Sequence, residues 1–448
     1  MASQNHGEDS SSDVEEVMEV VDPDDDAEAD IDDDKKEERM YLPGDPIEGD
    51  EELIQDESAY QMYHQAQTGA PCLSFDILWD KLGEQRTQYP HTSYLVAGTQ
   101  AEKVHLNSVI VMKMGNLHST QPEEEDSDSD SDEDDDNKPH LETAMINHLG
   151  SINRIRATVI GKKQIAATWA DTGKVQLWDL TQAIEAVDSP VAMERFTMQE
   201  KSHKSLYTFS GHQIEGFAID WSPTVPGTLV TGDCKKNIHV WKLQEGGTWH
   251  VDQRPYAAHT ESIEDLQWSP NEKNVFASCS VDKTIRVWDV RAMPSKACMI
   301  TQEQAHDSDI NVIHWNRNDP FIASGGDDGV INIWDLRQMQ KKGPPVAKFK
   351  HHTAPITSIE WHPTDSTVFA AAGSDDQITL WDLAVEKDDS EESSEKQEGD
   401  QIDSVPPQLL FIHQGQTDIK ELHWHPQIPG MVISTAHSGF NLFRTISV

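Results

Sequence analysis

AHTESIEDLQWSPNEKNVFASCSVDKTIRVWDVR, residues 258–291, is followed a few residues later by AHDSDINVIHWNRNDPFIASGGDDGVINIWDLR, residues 305–337. Both run from an Ala-His pair through a Trp nine positions on to a closing Trp-Asp. His351-His352 to Trp381-Asp382 is a third copy and Gly211-His212 to Trp241-Lys242 a fourth. The closing tryptophans stand at 241, 288, 334 and 381, a period of 46 or 47, and Trp221, Trp268, Trp315 and Trp361 keep the nine-residue offset from their own His. Looser copies run from His148 to Trp178-Asp179 and from His413 to Phe443-Arg444. A repeat of this length, opening on His and closing on Trp-Asp, marks a β-propeller of four-stranded blades. Asn274–Ser280 and Thr284–Val290, β-branched or aromatic runs split by a polar turn, read as two strands of one blade.

Seven blades are expected. Strand-like segments at 107–114, 175–180, 238–243, 285–290, 331–336, 378–383 and 440–446 supply one equivalent strand each. Leu73–Trp79 reads as the strand that closes the ring on the last blade's outer edge, which would remove an exposed sheet edge. Upstream, Glu51–Gln67 lacks Gly and Pro and spaces Leu53, Tyr60, Tyr63 and Gln67 as a helix would. The expected layout is an acidic disordered tail over 1–50, a helix over 51–70, and a propeller over 71–448 with acidic insertions at 116–142 and 385–403.

Charge is distributed as unevenly as the repeat is regular. The net charge is -45, and residues 1–58, 116–142 and 385–403 carry -21, -11 and -7 of it. The remainder is nearly neutral. Runs such as Glu123 to Asp130 repel themselves and cannot bury apolar surface, so they are expected to be disordered. Ser127, Ser129 and Ser131 each have an acidic residue three positions on, the context acidophilic kinases prefer. Dense carboxylate also disfavours direct contact with DNA or RNA, whose phosphates need Lys and Arg, and favours basic protein partners.

Catalytic signatures are missing. There is no phosphate-binding loop, His-Glu-x-x-His, Gly-x-Ser-x-Gly or dinucleotide fingerprint. His259, Ser278, Asp282 and Trp288 recur as His306, Ser324, Asp328 and Trp334. An active site occurs once, whereas a brace occurs in every blade, so these are read as structural. His423-Trp424-His425 alternates across a strand and has no visible third ligand, so neither a metal nor another cofactor is expected. Cys72, Cys234, Cys279 and Cys298 show no paired spacing and are read as reduced, which suits an intracellular protein. No apolar run approaches the roughly 18 residues of a membrane span, and the acidic N-terminus is unlike a secretory signal. A monomer without membrane attachment and without enzymatic activity is expected.

Several phrases carry a family resemblance: Tyr41-Leu42-Pro43-Gly44, the run from Gln67 to Asp76, Ala97-Gly98-Thr99-Gln100, Thr231-Gly232-Asp233-Cys234 and the terminal Phe443 to Val448. In these the chain resembles the glutamate-rich WD-repeat-containing family. The resemblance implies a nuclear and nucleolar protein of ribosome biogenesis that chaperones large-subunit ribosomal protein three and also binds histones and chromatin. More distantly the chain is similar to the retinoblastoma-binding histone-binding WD proteins and the small subunit of chromatin assembly factor 1. That likeness implies a groove between an N-terminal helix and an acidic Pro-Pro loop, here Tyr60, Tyr63, Asp400, Asp403, Pro406, Pro407, Leu409 and Leu410. It also implies a basic-tail site on the wheel's top face at Glu215, Phe217, Glu264 and Asn311. The sequence departs from the cousins at Ala70, where they carry Trp, and at Pro355, where an acid would be expected. An alternative follows from Trp288-Asp289-Val290-Arg291 and Trp334-Asp335-Leu336-Arg337, which fit the Trp-Asp-x-Arg pattern of substrate receptors for cullin-based ubiquitin ligases. Arg291 and Arg337 would then contact the adaptor. A general multi-partner scaffold is the plainest alternative.

Overall fold

The computed structural model describes residues 56–121, 138–199, 203–386 and 405–448. They form seven four-stranded antiparallel sheets. The first blade runs Cys72–Ile77, His91–Thr99, Ser108–Leu117 and His140–Asn147 from the centre outward, and the fourth runs Ile263–Trp268, Val275–Ser280, Ile285–Asp289 and Cys298–Gln302. The seven equivalent strands expected from the sequence are the third strands of the seven blades. The apolar side chains lie between neighbouring sheets. One cluster, for example, joins Val230 and Ile238 of the third blade to Leu266, Phe276 and Trp288 of the fourth.

The repeated His, Ser or Thr, Asp and Trp form a buried brace within each blade. In the fourth, Trp288 Nε1 donates to Ser278 Oγ at 2.8 Å. His259 spans that hydroxyl at 2.6 Å and Asp282 at 2.9 Å. Asp282 also accepts the backbone N–H groups of Thr260 and Thr284, tying the turn to the strand. Burial alone would raise the Asp282 carboxyl, but these bonds hold it well below the usual carboxylate range. The arrangement recurs at His212, Asp233, Thr231 and Trp241, and at His306, Asp328, Ser324 and Trp334.

Two expectations about the N-terminal region are corrected. Over 51–70 the described part is not a helix: a short 3-10 turn at Glu57–Ala59 leads into a strand, Tyr60–Ala66, and residues 51–55 lie outside the described residues. That strand, and not Leu73–Trp79, closes the ring. It pairs antiparallel with Gly439–Thr445, from Tyr60 opposite Thr445 to Ala66 opposite Phe440. Cys72–Ile77 is instead the innermost strand of the first blade. The propeller therefore includes 60–66, ahead of the expected boundary at 71. Helical spacing is a weak signal here, and the row of unpaired backbone donors and acceptors along the last blade's edge outweighs it. Tyr60 also replaces the braced Asp of the last blade: its OH lies 2.8 Å from His413 Nδ1, and His413 stacks on Phe443 at 4.1 Å.

Around the central channel, each blade is stitched to the next through one recurring position, the residue before the inner Trp or its equivalent. Asp76 accepts the N–H of Ala157, Asp220 that of Trp268, Gln267 that of Trp315 and His314 that of Trp361, at 2.6 to 3.2 Å. His423 donates one ring nitrogen to Glu360 and the other to the Phe75 carbonyl. An imidazole that donates from both nitrogens is protonated. Burial opposes that charge, but Glu360 and then Glu421 outweigh it and hold His423 up to about 10. Because the stitches join equivalent positions, all innermost strands run the same way. All third strands consequently end on one face, called here the lower face.

The 63-residue interval between Trp178 and Trp241 is filled by two helices, α1 (Thr181–Asp188) and α2 (Pro190–Met198). Ala183, Ala186 and Val187 of α1 pack on Val109, Val111 and Ala144 of the first blade. Lys113 pairs with Asp188 at 2.9 Å. No helix among the described residues is long and apolar enough to cross a membrane.

Two outcomes follow. Deleting residues 1–55 should leave the thermal midpoint in place. Deleting 1–66 should lower it by about 10 °C or more, because losing buried Tyr60 and Met62 costs about 2–5 kcal/mol each. His423 is raised above its unfolded value, so its stabilisation is complete below about pH 6.5 and fades as pH rises toward 10. Urea unfolding between pH 7 and 10 should thus lose stability more steeply in the native protein than in His423→Gln, by up to roughly 1.4 kcal/mol per pH unit.

Candidate partner-binding surfaces

Strand direction fixes where the acidic segments leave the wheel. Residues 118–139 connect the third and fourth strands of the first blade, and 383–408 do so in the sixth, so both depart from the lower face. The closing strand runs antiparallel to Gly439–Thr445 and therefore also begins on that face. Segments carrying -21, -11 and -7 charges are thus rooted on three adjacent blades.

The roots touch one another. Thr120 N donates to the Gln61 carbonyl at 3.2 Å, Ser119 Oγ to the same carbonyl at 3.0 Å, and His64 Nε2 meets the His118 carbonyl at 2.9 Å. On the other flank the Tyr60 ring lies edge-on to Phe411 at 5.3 Å. Tyr63, Leu410, Phe411 and Val448 pack half-buried around the same cluster. The closing strand is therefore the common seat of all three acidic segments, with half-buried apolar side chains between their roots.

Individual expected residues take different places. Tyr60 is buried, its hydroxyl spent on His413, so it supports this surface from beneath. Tyr63 is half-buried and its OH accepts from Gln65 and from Asn441. Pro406 begins a turn closed by the Leu409 N–H, Pro407 is exposed, and Leu409 and Leu410 are half-buried. Asp400, Asp403, Ser127, Ser129 and Ser131 lie outside the described residues.

The top-face candidates form a separate group at the opposite mouth of the channel. Glu215 accepts from Asn153 Nδ2 at 3.0 Å, and the Phe217 carbonyl accepts from Arg154 Nε at 3.2 Å. Asn311 donates to Asp327 at 2.8 Å and to the Ile356 carbonyl at 3.1 Å. Burial raises the Glu264 carboxyl, Ser262 and Arg154 oppose this, and Asp309 and Asp327 add to it. Pro355 contributes its carbonyl to Ser374 and leaves a gap in the acidic rim.

Arg291 and Arg337 close back on their own strands. Arg291 forks onto Asp289 and Arg337 onto Asp335, with Nη2 contacts of 2.5 and 2.7 Å and side chains 68% and 71% exposed. His423 and His425 do not share a ligand: His423 lies between Glu360 and Phe75, while His425 Nδ1 accepts the N–H groups of Gln427 and Ile428. Among the described residues, no three His, Cys, Asp or Glu side chains are grouped to hold a metal. The four cysteines are free, with Cys72 and Cys279 buried.

Comparison with known proteins agrees with both the wheel and its N-terminal strand. Residues 50–118 match a family described as the histone-binding protein RBBP4 or a component of the CAF1 complex. Residues 252–289, 297–335 and 343–382 match "WD domain, G-beta repeat". The chain is similar to "Ribosome assembly protein rrb1" of Schizosaccharomyces pombe, with 42% identity over 415 residues, 91% of this chain and 84% of that protein. It is 46% identical over 448 residues to "Protein HEAT STRESS TOLERANT DWD 1" of Arabidopsis thaliana, 92% of each. It is also 45% identical over 425 residues to "Glutamate-rich WD repeat-containing protein 1" of Dictyostelium discoideum, 92% of this chain and 86% of the relative.

Substitution should separate brace from surface. His306→Ala strands the buried Ser324 hydroxyl and the Asp328 carboxylate, and urea denaturation should register a loss of about 2–3 kcal/mol. Arg337→Ala, whose fork is exposed, should leave the urea midpoint unchanged within error.

Proposed function

Since the chain belongs to the family of the ribosome assembly protein rrb1 and the glutamate-rich WD repeat-containing proteins, we propose that it is a chaperone of basic proteins in ribosome and chromatin assembly. Its cargo is large-subunit ribosomal protein three and the core histones, and its place of action is the nucleus and nucleolus. One observation carries this reading beyond the family name: three acidic segments, far apart in sequence, are rooted together around the closing strand.

The physics of the surface suits such cargo. Cationic chains aggregate or bind nucleic acid nonspecifically, and clustered carboxylates can cover those charges while apolar contacts select the partner. Tyr63, Leu410 and Phe411 offer such contacts between the roots. Glu215, Phe217, Glu264 and Asn311 would hold a basic tail on the other face, so one cargo that engages both surfaces must reach around the wheel, or two cargoes bind separately. Asp400 and Asp403 would extend the lower surface. Phosphorylation at Ser127, Ser129 and Ser131 would deepen its charge.

Direct binding tests the proposal. Purified large-subunit ribosomal protein three and histone H3–H4 should each bind at about 0.15 M salt, where screening sets in beyond about 8 Å. Deletion of 122–137 and 387–404 together should weaken binding about tenfold or more and flatten its salt dependence. Failure of both basic proteins to bind the intact chain would overturn the reading. A second role is favoured by the exposure of Arg291 and Arg337 at third-strand ends on the lower face. There they would meet a ubiquitin-ligase adaptor, and unchanged adaptor capture by an Arg291→Ala, Arg337→Ala double variant would remove that role.

A further inference from the structure

Loop Leu78 to Pro90, which joins the first two strands of the first blade, lies on the lower face against the equivalent loop of the last blade. Arg86 N donates to the Gln427 carbonyl at 3.0 Å. The Gln427 side chain accepts from Asp80 N and donates to the Asp80 and Gly83 carbonyls. Beside this junction is a cavity of about 510 Å³ lined by Gln85, Arg86, Thr87, Gln88, His91 and Thr92, among others. Its volume falls within the range of small-molecule sites, about 300–1,000 Å³.

The polar groups gathered here are short of acceptors. Among the described residues, buried side-chain polar atoms without a partner include Arg86 Nε, Tyr89 OH, His91 Nε2, Ser93 Oγ, His425 Nε2 and Arg444 Nε. The first four belong to the loop and the strand that follows it. His91 and Ser93 stand on one face of that strand, and the Tyr89 and His91 rings lie 4.6 Å apart. The other two come from the last blade, where Arg444 pairs across the sheet with Met431, whose carbonyl accepts from His425 N.

Chemistry gives these atoms one sign. His425 Nδ1 accepts two backbone N–H groups, at 3.1 Å each, so Nε2 carries the proton and is a donor. The two guanidinium Nε–H groups are donors without exception, and the Ser93 and Tyr89 hydroxyls have O–H to give. Asp80, the carboxylate in direct contact, is already held by Arg86 Nη2 at 2.6 Å. Burial first, and then Arg444 and Arg86, depress His91 to about 4; burial, Arg86 and His91 depress His425 to about 3. The four groups are thus close enough to repel one another's charge. Buried donors left unpaired cost about 1–3 kcal/mol each, a cost that an acceptor-only ligand would remove.

We propose that this junction between the first and last blades is a binding site for a phosphate-class oxyanion, taken up as inorganic phosphate or as the phosphate of a small phosphorylated polyol. Arg86 and Arg444 supply the charge, and planar guanidinium groups match tetrahedral oxyanions well. His425 and Ser93 supply directed donors, and the Gln85, Thr87, Gln88 and Thr92 side chains face whatever body the anion carries. Ligand held there would clamp the two blades that the ring must join.

Thermal unfolding of the full chain tests the site. Inorganic phosphate at 10 mM, compared with sodium chloride of equal ionic strength, should raise the midpoint by several degrees (RT ln(1 + [L]/Kd) of stabilisation). Arg444→Gln should abolish the gain, and this variant should fold because no hydrogen bond or ion pair among the described residues uses the Arg444 guanidinium. If the variant is unstable on its own, loss of phosphorus-31 line broadening in His425→Gln gives a second readout. A gain with inorganic phosphate assigns the free anion, and a gain with inositol hexakisphosphate alone assigns the phosphorylated polyol. No gain over chloride with either probe, or an equal gain in Arg444→Gln, overturns the proposal.

Discussion

A propeller is a ring, and its stability depends on the one junction where the chain's two ends meet. Here the junction has two parts on opposite sides of the blade wall. At the outer edge, Tyr60–Ala66 completes the last blade and places the Tyr60 hydroxyl on His413. At the channel, the buried Glu421 carboxylate of the last blade accepts from Ser74 Oγ and Phe75 N of the first blade at 2.7 and 2.8 Å. It also pairs with Arg154 and Arg156 of the second blade at 2.6 Å each. Burial opposes its charge, but Arg156 and Arg154 outweigh that and hold it well below the carboxylate range. Such a group adds less net stability than its short contacts suggest, because desolvation offsets them. Its value is geometric: no other packing lets one carboxylate meet partners on two following blades, so the ring closes in a single register.

Everything functional is arranged relative to that junction. The closing strand organises the roots of the acidic segments on the lower face, and the donor-rich cavity lies at the same first-blade to last-blade boundary. Helices α1 and α2 extend the lower side farther around the rim, where α1 is fixed by its alanines to the first blade. The top face, with its half-buried Glu215, Glu264 and Asn311, is separated from these features by the length of the channel strands. A chaperone with two unlike surfaces on opposite faces can hold a charged extension on one side and a folded element on the other.

How much of this is legible in the residues depends on whether the signal repeats. The His, Ser, Asp and Trp brace is readable because it is copied from blade to blade, and repetition also distinguishes it from an active site. The stitching position before the inner Trp is present in the same copies, as Asp220, Gln267, His314, Glu360 and His423, but its identity changes at each copy. Only its consistent polarity next to a Trp hints at a role. Residues 60–66 read misleadingly as helix because an edge strand held by another blade's backbone needs little pattern of its own. Leu73–Trp79 reads correctly as a strand but points to the wrong blade, since strand pairing is decided by neighbours distant in sequence.

The sequence by itself determined the architecture, seven blades set by a period of 46 or 47 residues, and the separation of a nearly neutral wheel from its acidic segments. Period and charge are local properties, so they survive in one dimension. Only the tertiary structure decided that Tyr60 is a buried support and not an open groove wall, and that the roots of three acidic segments share one strand. It also decided that six unpartnered donors from two ends of the chain meet beside one cavity. Those outcomes depend on strand direction and ring closure, which bring residue 60 to residue 445 and residue 86 to residue 427, contacts that no local pattern encodes.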